Sequence, residues 1–119
     1  MQQTTHRGEP MAWIFLLFAG ILEVVWAVAM KYSHGFTRLW PSVLSIGTAF
    51  LSFYFLARAV ATLPIGTAYA IWTGIGAVGT AILGVVLFRE PATLLRAVCI
   101  LLIVGGMLGL KVSAAAVTR

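Results

Sequence analysis

The chain has 119 residues, 61% of them hydrophobic and 9% charged, with a mean hydropathy of +1.04. A soluble domain carries about 25% charged residues, so the composition excludes an ordinary soluble globular protein and places the chain in a membrane. The net charge of +5 does not indicate nucleic-acid binding, because the cations are scattered at the edges of apolar segments without a basic stripe; such residues anchor helix ends at headgroups.

Residues 1–10 are polar and include His6, Arg7 and Glu9. They are expected to form a disordered extension ahead of a transmembrane domain over residues 11–113, with 114–119 as a short tail. The first apolar segment runs from about Met11 to Met30, and Glu23 is its only charge. Twenty residues make a helix about 30 Å long, enough to cross the hydrocarbon core of a bilayer. An isolated carboxylate at that depth costs roughly 2.5–3.5 kcal/mol on insertion scales, so a function is expected to offset it. Ala27-Val28-Ala29 imitates a signal-peptide cleavage site, but Glu23 and Trp26 interrupt the apolar core that a signal requires.

Gly20, Glu23 and Ala27 fall at i, i+3 and i+7 and share one helix face, with Trp26 on its flank. The two small residues are expected to leave room beside the carboxylate. Glu23 is therefore a candidate proton carrier and a candidate counter-ion for a cationic solute; the alternative is a glutamate that bonds within the bundle and only positions helices.

The second segment, about Pro41–Ala61, carries the polar stripe Ser45, Thr48 and Ser52. These hydroxyls either bond their own or a neighbouring backbone, or one of them, best Ser52, orients the Glu23 carboxylate. The third segment, about Ile65–Phe88, places Tyr69 and Trp72 on one face. They form either an interfacial aromatic belt or a surface that donates to a carboxylate and holds a cation. Gly74, Gly76 and Gly79 follow, and clustered glycines permit either close packing or a conformational hinge. The fourth segment, about Thr93–Val112, contains the small-xxx-small pair Gly105 and Gly109, expected at a dimer contact. Lys111 near its end is expected to snorkel. The single cysteine, Cys99, lies in this segment and is expected to pack as a small apolar side chain.

Four apolar helices with short links make an all-α, up-down-up-down four-helix bundle with both termini on one side. No internal repeat is evident, and a four-helix chain could obtain inverted symmetry only by pairing two copies in opposite orientations. The loop charges fit this: Arg7, Arg58, Lys111 and Arg119 fall on one side, Lys31, Arg38, Arg89 and Arg96 on the other. The positive-inside bias is close to nil, so the sequence does not select an orientation. No nucleophile–base pair, phosphate loop or metal-ligand cluster occurs, so neither an enzyme nor a metal site is expected.

Taken together, Glu23, the stretch Gly35-Phe-Thr-Arg38-Leu-Trp-Pro41-Ser42, Ala68-Tyr69-Ala70-Ile71-Trp72, the glycines at 74 and 76 and the Gly-rich last helix resemble the small multidrug resistance family of proton-coupled exporters over nearly all of Met11–Ser113. Trp26 three residues after the glutamate, Trp72-Thr-Gly-Ile-Gly76 and Lys111 are similar to its guanidinium-exporter branch. The resemblance implies an antiparallel, dual-topology homodimer in a bacterial cytoplasmic (inner) membrane, exporting guanidinium in exchange for protons, with no other cofactor. It also implies that Glu23 binds proton or guanidinium, that Ser52 and Trp26 hydrogen-bond it, that Tyr69 and Trp72 line the pocket, and that Gly20 flanks it. The alternatives are a broader exporter of quaternary ammonium and other lipophilic cations, and a non-transporting partner subunit of a heterodimeric pair.

Overall fold

The computed structural model describes the backbone of residues 2–118 and the side chains of residues 10–113. It consists of α1 (Gln2–Tyr32), α2 (Leu39–Val60), α3 (Ile65–Phe88) and α4 (Leu94–Thr118), with no strand among the described residues. Each helix holds a stretch long and apolar enough to cross a membrane: Pro10–Tyr32, Leu39–Val60, Ile65–Phe88 and Leu94–Ser113. Lipid offers no partner for backbone groups, so such segments satisfy their amides internally as helices. The chain is a multi-pass membrane protein. The two ends differ from expectation: residues 2–10, expected to be disordered, continue α1, and α4 runs on to Thr118 through the expected tail. Extending an existing helix needs no new nucleus.

The links are tight because side chains and left-handed residues close them. Ser33 is fully buried after α1; its hydroxyl donates to the Met30 carbonyl (2.6 Å) and accepts the Phe36 amide (2.9 Å). His34, Gly35 and Phe36 then turn the chain with φ of 51°, 74° and 66°. Pro64, which cannot donate a backbone amide, opens α3, and Arg89 ends it in the left-handed region at φ 56°.

The core lies where α1 meets α2 and α3. Ala12, Leu16 and Ala19 of α1 pack with Ala59 and Leu63, and with Ala68, Ile71 and Trp72 of α3. Small residues let helices approach closely in lipid, where association rests on van der Waals contact and interhelical hydrogen bonds. The register of α1 on α3 is legible in glycine contacts. A Cβ added at Gly20 would lie 2.6 Å from Ile75, one at Gly76 2.7 Å from Glu23, and one at Gly79 2.6 Å from Val24. The residue numbers rise together, so the two helices run parallel. Gly74 faces Met107 and Ile103 of α4 in the same manner. Of the two roles open to these three glycines, close packing is the one seen in this conformation, and α3 is unbroken through them.

α4 packs on α3, and none of its spanning residues is buried. Added Cβ atoms at Gly105, Gly106 and Gly109 would meet nothing within 4 Å. Cys99, expected to pack as a small apolar side chain, is exposed on this helix. The molecule is 16 Å across its thinnest dimension, and α4 joins it mainly through α3.

Candidate functional site

Glu23 projects from α1 onto α3, where Gly76 makes room for it. A side chain at position 76 would begin 2.7 Å from Glu23 Oε1 and 2.8 Å from its Cδ. Oε1 is buried and has no hydrogen-bond partner among the described residues, and the same is true of Trp26 Nε1 on the next turn of α1. A buried acceptor and a buried donor, both unpaired, are exceptions in a folded protein and call for a missing partner. Unpaired burial costs about 1–3 kcal/mol for a neutral group and more for a charged one.

One turn towards the N-terminus of Glu23, a hydrogen-bonded chain ties three helices together. Trp72 Nε1 donates to Ser52 Oγ (2.9 Å), and Ser52 Oγ donates to the Ala19 carbonyl (2.7 Å). That carbonyl is also the one to which the Glu23 amide donates in the regular i to i−4 ladder. Trp72 lies four residues before Gly76, so both occupy the face of α3 that meets α1. Ser45 Oγ repeats the lacing, donating to the Trp26 carbonyl at 2.9 Å. The spacing of Ser45 and Ser52 matches that of Ala19 and Trp26, seven residues in each helix, and the two bonds clamp the segment that carries Glu23. Tyr69 joins through Trp72, its ring centroid 5.3 Å from the indole, while Phe53 packs edge-on to the other side at 5.8 Å.

The structure links Trp72 to Ser52 and to Tyr69 one turn from Glu23, with contacts that differ from those expected. Ser52 does not bond the Glu23 carboxylate; its one hydroxyl proton goes to Ala19 and its lone pair accepts Trp72. Trp26 does not bond the carboxylate within the chain either. Gly20 leaves no room beside Glu23, because Ile75 fills the space above it. Trp72 is 6% exposed and so is no interfacial belt residue, whereas Tyr69 is 55% exposed. Gly76, expected either to pack closely or to act as a hinge, is the residue against the carboxylate. Thr48 of the polar stripe donates to its own helix at Leu44 (2.7 Å). Lys111 Nζ lies over the Trp13 ring, 5.3 Å from its centroid. Among the described residues no cluster of His, Cys, Asp or Glu could hold a metal ion.

An open cleft of about 820 Å³ begins at Ala27, one turn from Glu23, and follows the groove between α1 and α3 past Thr80 and Ala81 to the α3–α4 link. Lys31, His34, Glu90 and Arg96 line its outer end.

The clamp has a measurable consequence. Ser52→Ala removes the acceptor of a buried indole N–H and the donor to Ala19, and is expected to cost about 1–3 kcal/mol. Thermal unfolding in detergent will show the loss. Trp72→Phe in the Ser52→Ala background should recover part of it, because the orphaned donor is then gone.

The sequence profile of the family described as Small Multidrug Resistance protein matches residues 11–103. A guanidinium exporter of Salmonella typhimurium is 58% identical over 104 residues, covering 87% of this chain and 99% of that protein. Guanidinium exporters of Yersinia pestis and Citrobacter freundii are each 56% identical over 103 residues, again 87% of this chain, and 99% and 98% of those proteins.

Proposed function

Because the chain belongs to the Small Multidrug Resistance protein family, we propose that it exports guanidinium from a bacterial cell across the cytoplasmic membrane in exchange for protons, as an antiparallel homodimer. The observation that carries this reading is the Glu23 carboxylate oxygen, buried in a spanning helix without a partner. Guanidinium is planar, permanently charged near neutral pH and only donates hydrogen bonds, so it fits a carboxylate lacking donors. Relatives with 56–58% identity named as guanidinium exporters supply the substrate.

Proton and cation compete for Glu23, because a protonated carboxyl keeps no charge to pair with the substrate. Release of one then permits binding of the other, and a dimer brings two such carboxylates into a coupled pair. The unpaired Trp26 N–H donates to one of these carboxylates once the second protomer completes the site. The exposed glycine face of α4, at Gly105 and Gly109, supplies the contact between copies, since its open backbone admits a second helix closely. Opposite orientation of the copies gives the inverted symmetry that alternating access requires. The glycines at 74, 76 and 79 let α3 bend between the two states, exchanging the α1 and α4 contacts they now make.

The test is current from purified protein in proteoliposomes driven by a guanidinium gradient at several pH values. Guanidinium-dependent current with weaker apparent affinity at lower pH is expected; absence of current in folded protein would overturn the proposal. Trp26→Gly removes the bulk that limits the pocket. It should shift preference towards bulky aromatic cations by about tenfold, the size of a change of about 1.4 kcal/mol in contact energy. Unchanged competition between guanidinium and such a cation would refute the assignment of selectivity to Trp26.

A further inference from the structure

The cleft that begins beside Ala27 ends at a second carboxylate, Glu90, and this residue is held in place deliberately. Arg89 caps α3 in the left-handed region (φ 56°), the Glu90 amide donates to the Gly84 carbonyl (3.1 Å), and Gly84 lacks the Cβ that would collide with the Glu90 carboxylate. The backbone turn and the missing side chain together fold the carboxylate back against α3, on the wall of the cleft.

What Glu90 holds there is a guanidinium group. Arg96 Nη2 lies 3.2 Å from Glu90 Oε1, and Arg96 Nη1 donates to the Pro91 carbonyl at 3.3 Å. One nitrogen of the fork reaches the carboxylate, where a free guanidinium can engage both oxygens through two parallel bonds. The side chains are 33% and 44% exposed, and pairs open to solvent contribute little and exchange readily. The other charged or titratable groups lining the cleft, Lys31 and His34, carry no negative charge. Glu90 is therefore the one carboxylate among the residues lining the cleft, and Arg96 occupies it.

We propose that Glu90 is a second guanidinium-binding position at the outer end of the cleft whose inner end lies at Ala27, one turn from Glu23, and that Arg96 is a tethered occupant which the substrate displaces. The proposal rests on the exporter reading above. Glu90 offers the substrate an opposite charge at the point where Lys31 and Arg96 would otherwise repel it. In an antiparallel dimer the two copies place one such position on each side of the membrane.

The test is the concentration dependence of guanidinium-driven current in proteoliposomes holding the full-length wild type, Glu90→Gln or Arg96→Gln. Glu90→Gln should raise the apparent KM about threefold and Arg96→Gln should lower it by about the same factor, the size of an exposed charge pair. A pair that only braces the link would shift both variants in one direction, and that result, or no shift in either, overturns the proposal. If Glu90→Gln fails to fold, Arg96→Gln alone decides, since freeing Glu90 must lower KM. A second measurement isolates the position: with Glu23→Gln, guanidinium titrated by NMR should still perturb the α3–α4 link, and the perturbation should vanish in Glu23→Gln/Glu90→Gln. A wild type that carries no guanidinium would instead refute the exporter reading before any variant is compared.

Discussion

Glu23→Gln is expected to abolish proton-coupled guanidinium transport. The amide keeps the shape of the carboxylate but neither its charge nor its proton. Two charge-assisted hydrogen bonds to guanidinium are lost, each contributing about 1.5–3 kcal/mol, which corresponds to a fall in affinity of at least about a hundredfold. The fold should persist, since Oε1 has no protein partner to lose and replacing a buried charge by a neutral group removes a desolvation cost. The decisive combination is an intact melting transition in detergent with no pH-dependent guanidinium binding and no current. Substantial coupled flux in this variant would end the assignment of Glu23 as the shared proton and substrate site.

Gly76→Ala is expected to separate the site from the scaffold. The new Cβ would lie 2.7 Å from Glu23 Oε1, so the carboxylate must move. It can move cheaply, because it is the end of a flexible side chain. Stability should change little, while guanidinium affinity should fall about tenfold or more as one of two charge-assisted bonds is misplaced. At Gly20 the clash is with the branched stem of Ile75, 2.7 Å away at its Cβ, where no such easy displacement exists. Titration calorimetry with guanidinium, alongside thermal unfolding, distinguishes the two: Gly76→Ala with unchanged affinity would show that the carboxylate does not work from its position against α3.

The four spans, their links and the isolation of the Glu23 charge were legible in the chain. A run of about twenty apolar residues has one stable conformation in lipid, and a lone charge inside such a run declares itself by its cost. The polar stripe on α2 was legible as a stripe, but its partners were not. Ser52 could as well have reached a carboxylate as a carbonyl, and only the register of α1 against α2 gives its proton to Ala19. The matching seven-residue spacing of Ser45–Ser52 and Ala19–Trp26 is the signal that could have indicated it. The glycines carried the same ambiguity, because a missing side chain permits bending and contact equally.

The sequence by itself determined what each segment must do in a bilayer, since that depends on residue type and length alone. Tertiary structure decided which backbone lies against the carboxylate, which hydroxyl clamps its helix, and that Glu90 and Arg96 line the outer end of the neighbouring cleft. Those depend on how far one helix is rotated and slid along another. In lipid that alignment is set by the summed contacts of small residues such as Gly20, Gly76 and Gly79 with whatever they meet, and no one of these residues reveals it.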